Sequence, residues 1–333
     1  QYQPNIKHAL LADDTIKSSI VNRTYRLKIF IPSEYFYSGA SYPVIYFQDG
    51  EDYLNLAYAK NVLDNILDKG SVLPFIAVFV QPNNRNDEYA YNLRNLYARF
   101  FVEELVPYID GEYRTLRDPK QRLVLGDSFG GNISALIAVN YPEIFGNCGQ
   151  HSGAFWPNSY EVQSLFSNNP KKNIKLYSVW GTYESLFTSW RTLTSVLNAK
   201  SYEYKWKEYN EGHSWGLWRA TLDEMIEYFF PKKTNQYTTP DQIPERTFLF
   251  SNYPNPFNPE TIIKFSLSKA DIVCLQIYDL MGREIAVLMN EYKYAGEHKM
   301  VFNADEFGLS SGVYFYSLRT GKNFERKKML LLR

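Results

Sequence analysis

The chain has 333 residues and carries 36 Lys+Arg against 36 Asp+Glu, so no net field draws it to nucleic acid or an acidic membrane surface. Its length suits two domains, each with its own core, and no apolar run approaches the ~20 residues that span a bilayer. Two cysteines, Cys148 and Cys274, with no CxxC or HExxH spacing, point away from a disulfide framework and from a zinc site, and no metal is expected. Aromatic residues reach 17%, with 28 Tyr and 6 Trp, an excess that suits surfaces gripping flat or sugar-like ligands as well as packing. The chain opens on Gln1 rather than Met, which reads either as a mature form whose export signal has been removed or as a trimmed start.

In chain order, apolar or alternating runs at 25–32, 42–47, 75–80, 123–126, 147–153, 174–181 and 202–209 predict strands. Helix-length patterns fall between most of them, at 53–68, 93–109, 131–140, 184–197 and 217–230. Strands alternating with such helices predict a doubly wound, mostly parallel α/β sheet covered on both faces, with the first strand and a hairpin partner antiparallel at one edge. After Phe230 the composition changes: residues 231–244 hold three prolines and almost no large aliphatics, which is linker chemistry. From 247 onward short β-rich runs at 261–267, 272–278, 284–288, 298–302, 313–318 and 326–332 alternate with turns and predict a small all-β antiparallel sandwich. The expected division is therefore 1–230, a linker at 231–246, and 247–333.

Gly126-Asp127-Ser128-Phe129-Gly130 carries the chemistry. It follows the apolar run Leu123-Val124-Leu125 and opens a helix-like segment, so a serine stands at the apex of a strand–turn–helix, the layout of a nucleophile elbow. A serine hydroxyl needs a base oriented by a carboxylate. Of the four histidines, His8 precedes the serine and His298 lies in the sandwich; His151 follows Ser128 too closely to leave room for an acid-bearing strand and reads either as a pocket-edge residue or as a packed one. His213, in a loop between the last strand and the last helix, is the expected base, with an ordinary loop histidine as the competing reading. No aspartate lies between Ser128 and His213, so the acid is a glutamate, and only Glu184 of the six follows the carboxyl end of a buried-looking strand. Its competing reading is a helix N-terminal charge. For the oxyanion, the Phe129 amide is one donor; the Glu51 amide is the other if Gly50 bends the turn after 42–47 inward, and otherwise that turn is only a turn.

Together these residues resemble the esterase branch of the α/β-hydrolases, which includes feruloyl and acetylxylan esterases, enterochelin-type esterases and mycolyltransferases. The resemblance rests on Tyr42-Pro43-Val44-Ile45-Tyr46-Phe47-Gln48-Asp49-Gly50 as the oxyanion loop, Arg85-Asn86-Asp87-Glu88-Tyr89 as the Arg/Glu-Tyr segment, the helix at 103–109 and Gly181-Thr182-Tyr183-Glu184 as the acid motif. Here glutamate stands where many members carry aspartate. The C-terminal module resembles the sorting domain of the type IX secretion system, through Tyr253-Pro254-Asn255-Pro256-Phe257-Asn258-Pro259, Tyr278-Asp279-Leu280-Met281-Gly282-Arg283-Glu284, Leu309-Ser310-Ser311-Gly312-Val313-Tyr314 and the final Lys327-Lys328-Met329-Leu330-Leu331-Leu332-Arg333. A carbohydrate-binding sandwich of similar size is its competing reading.

The resemblance implies a serine carboxylesterase working through an acyl-enzyme, without metal or organic cofactor, secreted or held at the outer-membrane surface of a Bacteroidota-like Gram-negative bacterium. Its partners are then the type IX secretion machinery, through 247–333, and a small-molecule or polysaccharide ester. Export favours removal of feruloyl or acetyl groups from plant cell-wall xylan; enterochelin-type or broad-specificity ester hydrolysis, polyesters included, is the alternative. A non-catalytic glycan-binding surface protein is the reading from another class. Candidate substrate contacts are Gly50, Tyr53, Arg85, His151, Trp156, Trp180, Trp215 and Trp218, together with Phe129 and Tyr183; each aromatic could equally pack the walls of the site.

Overall fold

A computed structural model describes residues 2–36, 38–232, 246–293, 296–321 and 323–333. Contacts divide the chain into two compact units, Gln1–Thr234 and Asn235–Arg333. Most of the expected linker lies outside the described residues; at its start, Pro231 still bridges to Val72 and the Lys232 amide donates to Ser71 O, so the first unit extends past Phe230.

The first unit is built on eight strands: β1 Leu10–Ser18, β2 Arg23–Ile31, β3 Val44–Phe47, β4 Ile76–Gln81, β5 Arg122–Asp127, β6 Asn147–His151, β7 Lys175–Gly181 and β8 Glu203–Tyr209. Their spatial order is β1-β2-β4-β3-β5-β6-β7-β8. The hairpin β1–β2 and the β2–β4 pair are antiparallel, and every pair from β4 to β8 is parallel. This is the doubly wound, mostly parallel sheet expected from the alternation of strands and helices. Alternation along each strand feeds two cores: Val44 and Tyr46 of β3 pack into one cluster, Ile45 and Phe47 into the other. Because both faces are covered, all four residues of β3 are fully buried, which explains why it reads as a continuous apolar run.

Helices α1 Gly50–Asn55, α2 Ala59–Lys69 and α9 Trp215–Phe229 accompany one core. The other is covered by α3 Arg85–Tyr89, α4 Arg94–Phe100, α5 Val106–Glu112, α6 Phe129–Asn140, α7 Pro157–Asn168 and α8 Phe187–Ala199. The helix expected at 53–68 is two, broken where Tyr58 takes a left-handed φ of 50°. The one expected at 93–109 runs on to Glu112 through a π-turn at Phe101–Leu105. Helix α8 starts at Phe187, later than the predicted 184, because Glu184 turns inward instead of opening the helix. Helix α6 is central: Gly130 to Val139 are all buried, so the segment after the elbow has no polar face.

The second unit is an antiparallel sandwich of β9 Phe248–Leu249, β10 Glu260–Leu267, β11 Asp271–Tyr278, β12 Glu284–Lys293, β13 Gly296–Asn303, β14 Gly312–Arg319 and β15 Phe324–Leu331. Sheets ordered β13-β10-β9 and β12-β11-β14-β15 enclose a core that includes Phe265, Leu275, Phe302, Tyr316 and Met329. Among the described residues no helix is long and apolar enough to cross a membrane.

Candidate active site

The carboxyl ends of the parallel strands β5, β7 and β8 lead into the turns that carry Ser128, Glu184 and His213. Ser128 sits between β5 and α6 at φ 50°, ψ −116°, a conformation that L-residues rarely adopt. Backbone bonds hold it there: its amide donates to His151 O (2.9 Å) and its carbonyl accepts from Ala154 N (2.9 Å). Gly126 makes the turn sterically possible, because a Cβ there would stand 2.5 Å from the Gly130 carbonyl. Ser128 thereby stands at the sheet edge immediately before the first turn of α6, whose orphan amides begin with Phe129.

His213 precedes α9, which Ser214 caps by accepting from Leu217 N (3.3 Å). His213 Nδ1 is bonded to Glu184 Oε2 at 2.6 Å. Glu184 is 6% exposed, and its other oxygen, Oε1, accepts from Ser152 Oγ (2.6 Å) and from the Gly181 amide. Ser152 in turn accepts from Trp218 Nε1 (3.0 Å), and the Trp218 ring meets the His213 ring edge-on at 5.0 Å. The acid and histidine turns are also tied through their backbones: Thr182 N donates to Tyr209 O and Tyr183 N to Glu211 O. Of the other glutamates weighed as the acid, Glu208 is committed to Trp180 Nε1 and Arg191. Sequence reasoning missed Ser152; its only trace is a small Ser-Gly pair closing a strand, and its φ of 48° is visible only in three dimensions.

The predicted substrate contacts separate into two groups. Trp156 is 46% exposed and lies 5.3 Å from the Phe129 ring, Tyr183 is 75% exposed, and Trp215 is half-buried against Tyr53 and Trp218. Tyr53, His151, Trp180 and Trp218 are instead buried. Trp180 is a core residue, stacked between Trp190 and Trp206 (ring centroids 5.1 and 5.4 Å away), so its place on the sheet outweighs its nearness in sequence to the acid. Tyr53 OH is bonded to His151 Nδ1 (2.8 Å), and burial pushes the His151 imidazolium down to about 3, which leaves a neutral ring beneath the elbow. The Glu51 amide is already given to Gln81 Oε1 (3.2 Å) on β4 and the Glu51 carboxylate pairs with Arg26, so Glu51 is not a free oxyanion donor as the structure stands. Gly50 is pressed against the backbone of β4, where a Cβ would lie 2.5 Å from Phe79 C. Arg85 does not offer an open cation, because it forms a bidentate pair with Asp49. Among the described residues no group of three or more His, Cys, Asp or Glu is placed to hold a metal.

A mostly parallel sheet with a strained serine turn and a histidine–carboxylate pair at the same edge defines an α/β-hydrolase. Residues 18–229 match the family model described as "Putative esterase", and the chain belongs to that esterase family. Residues 251–332 match the secretion system C-terminal sorting domain, which marks a secreted or surface protein of a Bacteroidota-type Gram-negative organism. The chain is 27% identical over 239 residues to the uncharacterized protein YjcH of Bacillus subtilis, covering 66% of this chain and 98% of that one. It is 28% identical over 242 residues to an endo-1,4-beta-xylanase/feruloyl esterase of Xylanibacter ruminicola, covering 69% of this chain but only 32% of that larger protein. Similar solved structures include a ferulic acid esterase (TM-score 0.60, 18% identity, 68% of this chain and 99% of that one). Another is the Shigella flexneri enterobactin esterase in the presence of enterobactin (TM-score 0.61, 19% identity, 68% and 60%). These likenesses establish the fold.

Proposed function

We propose that Ser128, His213 and Glu184 form the catalytic triad of a serine carboxylesterase that works through an acyl-enzyme. The observation that carries this reading is the 2.6 Å bond from His213 Nδ1 to a buried Glu184 whose second oxygen is fixed by Ser152 and Gly181. With Nδ1–H donated to the carboxylate, Nε2 is left as the base that takes the Ser128 proton and later returns it to the leaving alcohol. Ser128 Oγ attacks the ester carbonyl, the alcohol departs, and water releases the acid in a second attack of the same kind. The Phe129 amide, at the positive end of α6, holds the oxyanion.

For the substrate, the broad carboxylesterase reading is preferred to one confined to feruloylated or acetylated xylan. Among the relatives' names are ferulate and enterobactin esterases, and the compounds seen with the Shigella enzyme include a dihydroxybenzoyl-serine. What those substrates share is an ester borne by a molecule with a hydroxylated aromatic ring, and the exposed Trp156 beside Phe129 offers such a ring a stacking face. Export to the cell surface and the xylanase/feruloyl esterase relative support wall-bound ferulate as a second reading. Initial rates on p-nitrophenyl acetate, methyl ferulate, feruloylated xylan and a catecholate trilactone, for the native chain and Ser128→Ala, test both levels. Serine-dependent turnover of several small aryl and acyl esters supports the preferred reading, turnover confined to feruloylated xylan supports the second, and turnover that survives Ser128→Ala overturns the triad. A folded chain that turns over none of these esters, is not labelled by a fluorophosphonate probe and binds glycans would instead be a non-catalytic surface protein.

A further inference from the structure

Behind the nucleophile turn lies a charged cluster that the triad does not use. Asp49 ends the turn after β3 and Asp127 ends β5, one residue before Ser128; the two residues are 1% and 3% exposed. Arg85, the first residue of α3, donates from Nε to Asp49 Oδ1 (2.8 Å) and from Nη2 to Asp49 Oδ2 (2.7 Å). The same Nη2 reaches Asp127 O (3.4 Å) and Asp127 Oδ2 (3.5 Å). Its guanidinium carbon stands 5.8 Å from the Phe129 ring centroid and 5.5 Å from that of Tyr89. The Asp49 amide donates to Tyr89 OH (2.9 Å). A Cβ on Gly130 would come within 2.9 Å of Asp49 Oδ2, so this carboxylate lies directly against the first turn of α6.

One guanidinium cannot neutralise two carboxylates in a dry site. Burial first, and then the Asp49 charge, hold the Asp127 carboxyl well above the usual range, while burial raises Asp49 against the opposing pull of Arg85. The other titratable groups facing the pair are Asp52, Tyr53 and Tyr89, and none of them brings a compensating positive charge. Asp127 Oδ1 has no hydrogen-bond partner among the described residues.

We propose that Asp49, Arg85 and Asp127 form a clamp that fixes the turn at 48–51 against the nucleophile turn. Arg85 and Asp49 are then positioning residues for oxyanion binding. The clamp rests on the reading of Ser128 as the nucleophile. Its span explains its effect: Asp49 Oδ2 lies against the first turn of α6, Asp127 precedes the nucleophile, and a displacement of either would misplace the Phe129 amide, a donor that acts on the transition state and not on bound ester.

The test uses the full chain with p-nitrophenyl acetate as substrate, phenylboronic acid as an oxyanion mimic and a fluorophosphonate probe. Asp49→Asn and Arg85→Gln are expected to lose about 10- to 100-fold in kcat with KM within about threefold, to bind the boronate more weakly by a similar factor, and still to label to completion. Asp127→Asn, which keeps a neutral donor in place, is expected to stay at least about tenfold more active than Asp49→Asn. The double variant Asp49→Asn/Arg85→Gln removes both members of the ion pair and covers the case in which a single variant fails to fold. A loss no larger than about that of one single variant, or about 10- to 100-fold where no single can be measured, supports the clamp; losses that multiply refute it. Asp49→Asn or Arg85→Gln within about threefold of native kcat, or Asp127→Asn as damaging as Asp49→Asn, would overturn it. Failure of the underlying triad looks different, since native protein would then go unlabelled and turnover would survive Ser128→Ala.

Discussion

Glu184→Gln is the sharpest test of the proposed triad, because the structure dictates how the new amide must sit. Oε1 of Glu184 receives two donors, the Gly181 amide and Ser152 Oγ–H, and Oε2 faces His213 Nδ1. The backbone N–H of Gly181 can only donate, so the glutamine oxygen takes the Oε1 position and its NH2 turns to the imidazole. Nδ1 must then accept, which forces the proton onto Nε2, and the ring can no longer take a proton from Ser128. The side chain keeps its size and its place in a site that is 6% exposed, so packing changes little while the tautomer is inverted. Inverting that tautomer in a serine triad costs about 10⁴ in rate, or ~5 kcal/mol of transition-state stabilisation. The assay is kcat/KM on p-nitrophenyl acetate, with the thermal midpoint measured alongside. A loss below about tenfold in folded protein, or an equal loss in Glu208→Gln or Glu211→Gln, would show that the carboxylate does not set the tautomer and that the acid is misassigned.

Three further outcomes follow from the same geometry. Ser128→Ala should lower turnover by about 10⁴-fold or more with little change in thermal midpoint, since the bonds that hold this turn to His151 and Ala154 are backbone bonds; a matched loss of stability would count against a purely chemical role. Ser152→Ala removes a donor to Glu184 and strands Trp218 Nε1, so kcat on the same ester should fall about 10- to 100-fold, and a rate within about twofold of native would show that Gly181 suffices. His151 is neutral in the fold, with its folded pKa depressed to about 3, so the stability it confers is present above the unfolded value near 6.5 and is lost as pH falls through the window between them. That loss amounts to about 3 kcal/mol by pH 4.5. Urea unfolding at pH 7.5 and 4.5 should therefore show a smaller acid loss in His151→Gln than in the native chain, and equal losses would mean that the ring is not buried neutral.

Much of the first unit was legible because its central strands, β3, β4 and β5, are buried on both faces and carry unbroken apolar runs, while the turn after β5 is marked by Gly126, where a Cβ would meet the Gly130 backbone. The pairing of Glu184 with His213 was foreshadowed by elimination: with no aspartate between the serine and the histidine, strand position alone separated it from five rivals as the proposed acid. What stayed hidden is tertiary. Nothing in Leu56-Ala57-Tyr58-Ala59 signals a helix break, since the left-handed residue is a tyrosine and not a glycine. Trp180 and Trp156 look alike in sequence, both close to turns of the proposed site; only the packing of Trp190 and Trp206 around Trp180 makes one core and leaves the other exposed. The competing claim on the Glu51 amide was not legible, because its partner Gln81 lies thirty residues away on β4.

The arrangement also bears on why relatives named for ferulate and for enterobactin share this fold at 18–19% identity. The groups proposed to move protons stand on turns locked by backbone bonds to adjoining strands and turns, through His151 and Ala154 for the serine and through Tyr209 and Glu211 for the acid. The exposed aromatics stand elsewhere, Trp156 just before α7 and Tyr183 before α8, where no strand ladder fixes them. Side chains there can change without disturbing the elbow, the acid or the base. On the proposed reading, ester hydrolysis is tied to the sheet edge and choice of acid and alcohol to the segments that carry Trp156 and Tyr183, so the fold constrains the first far more than the second.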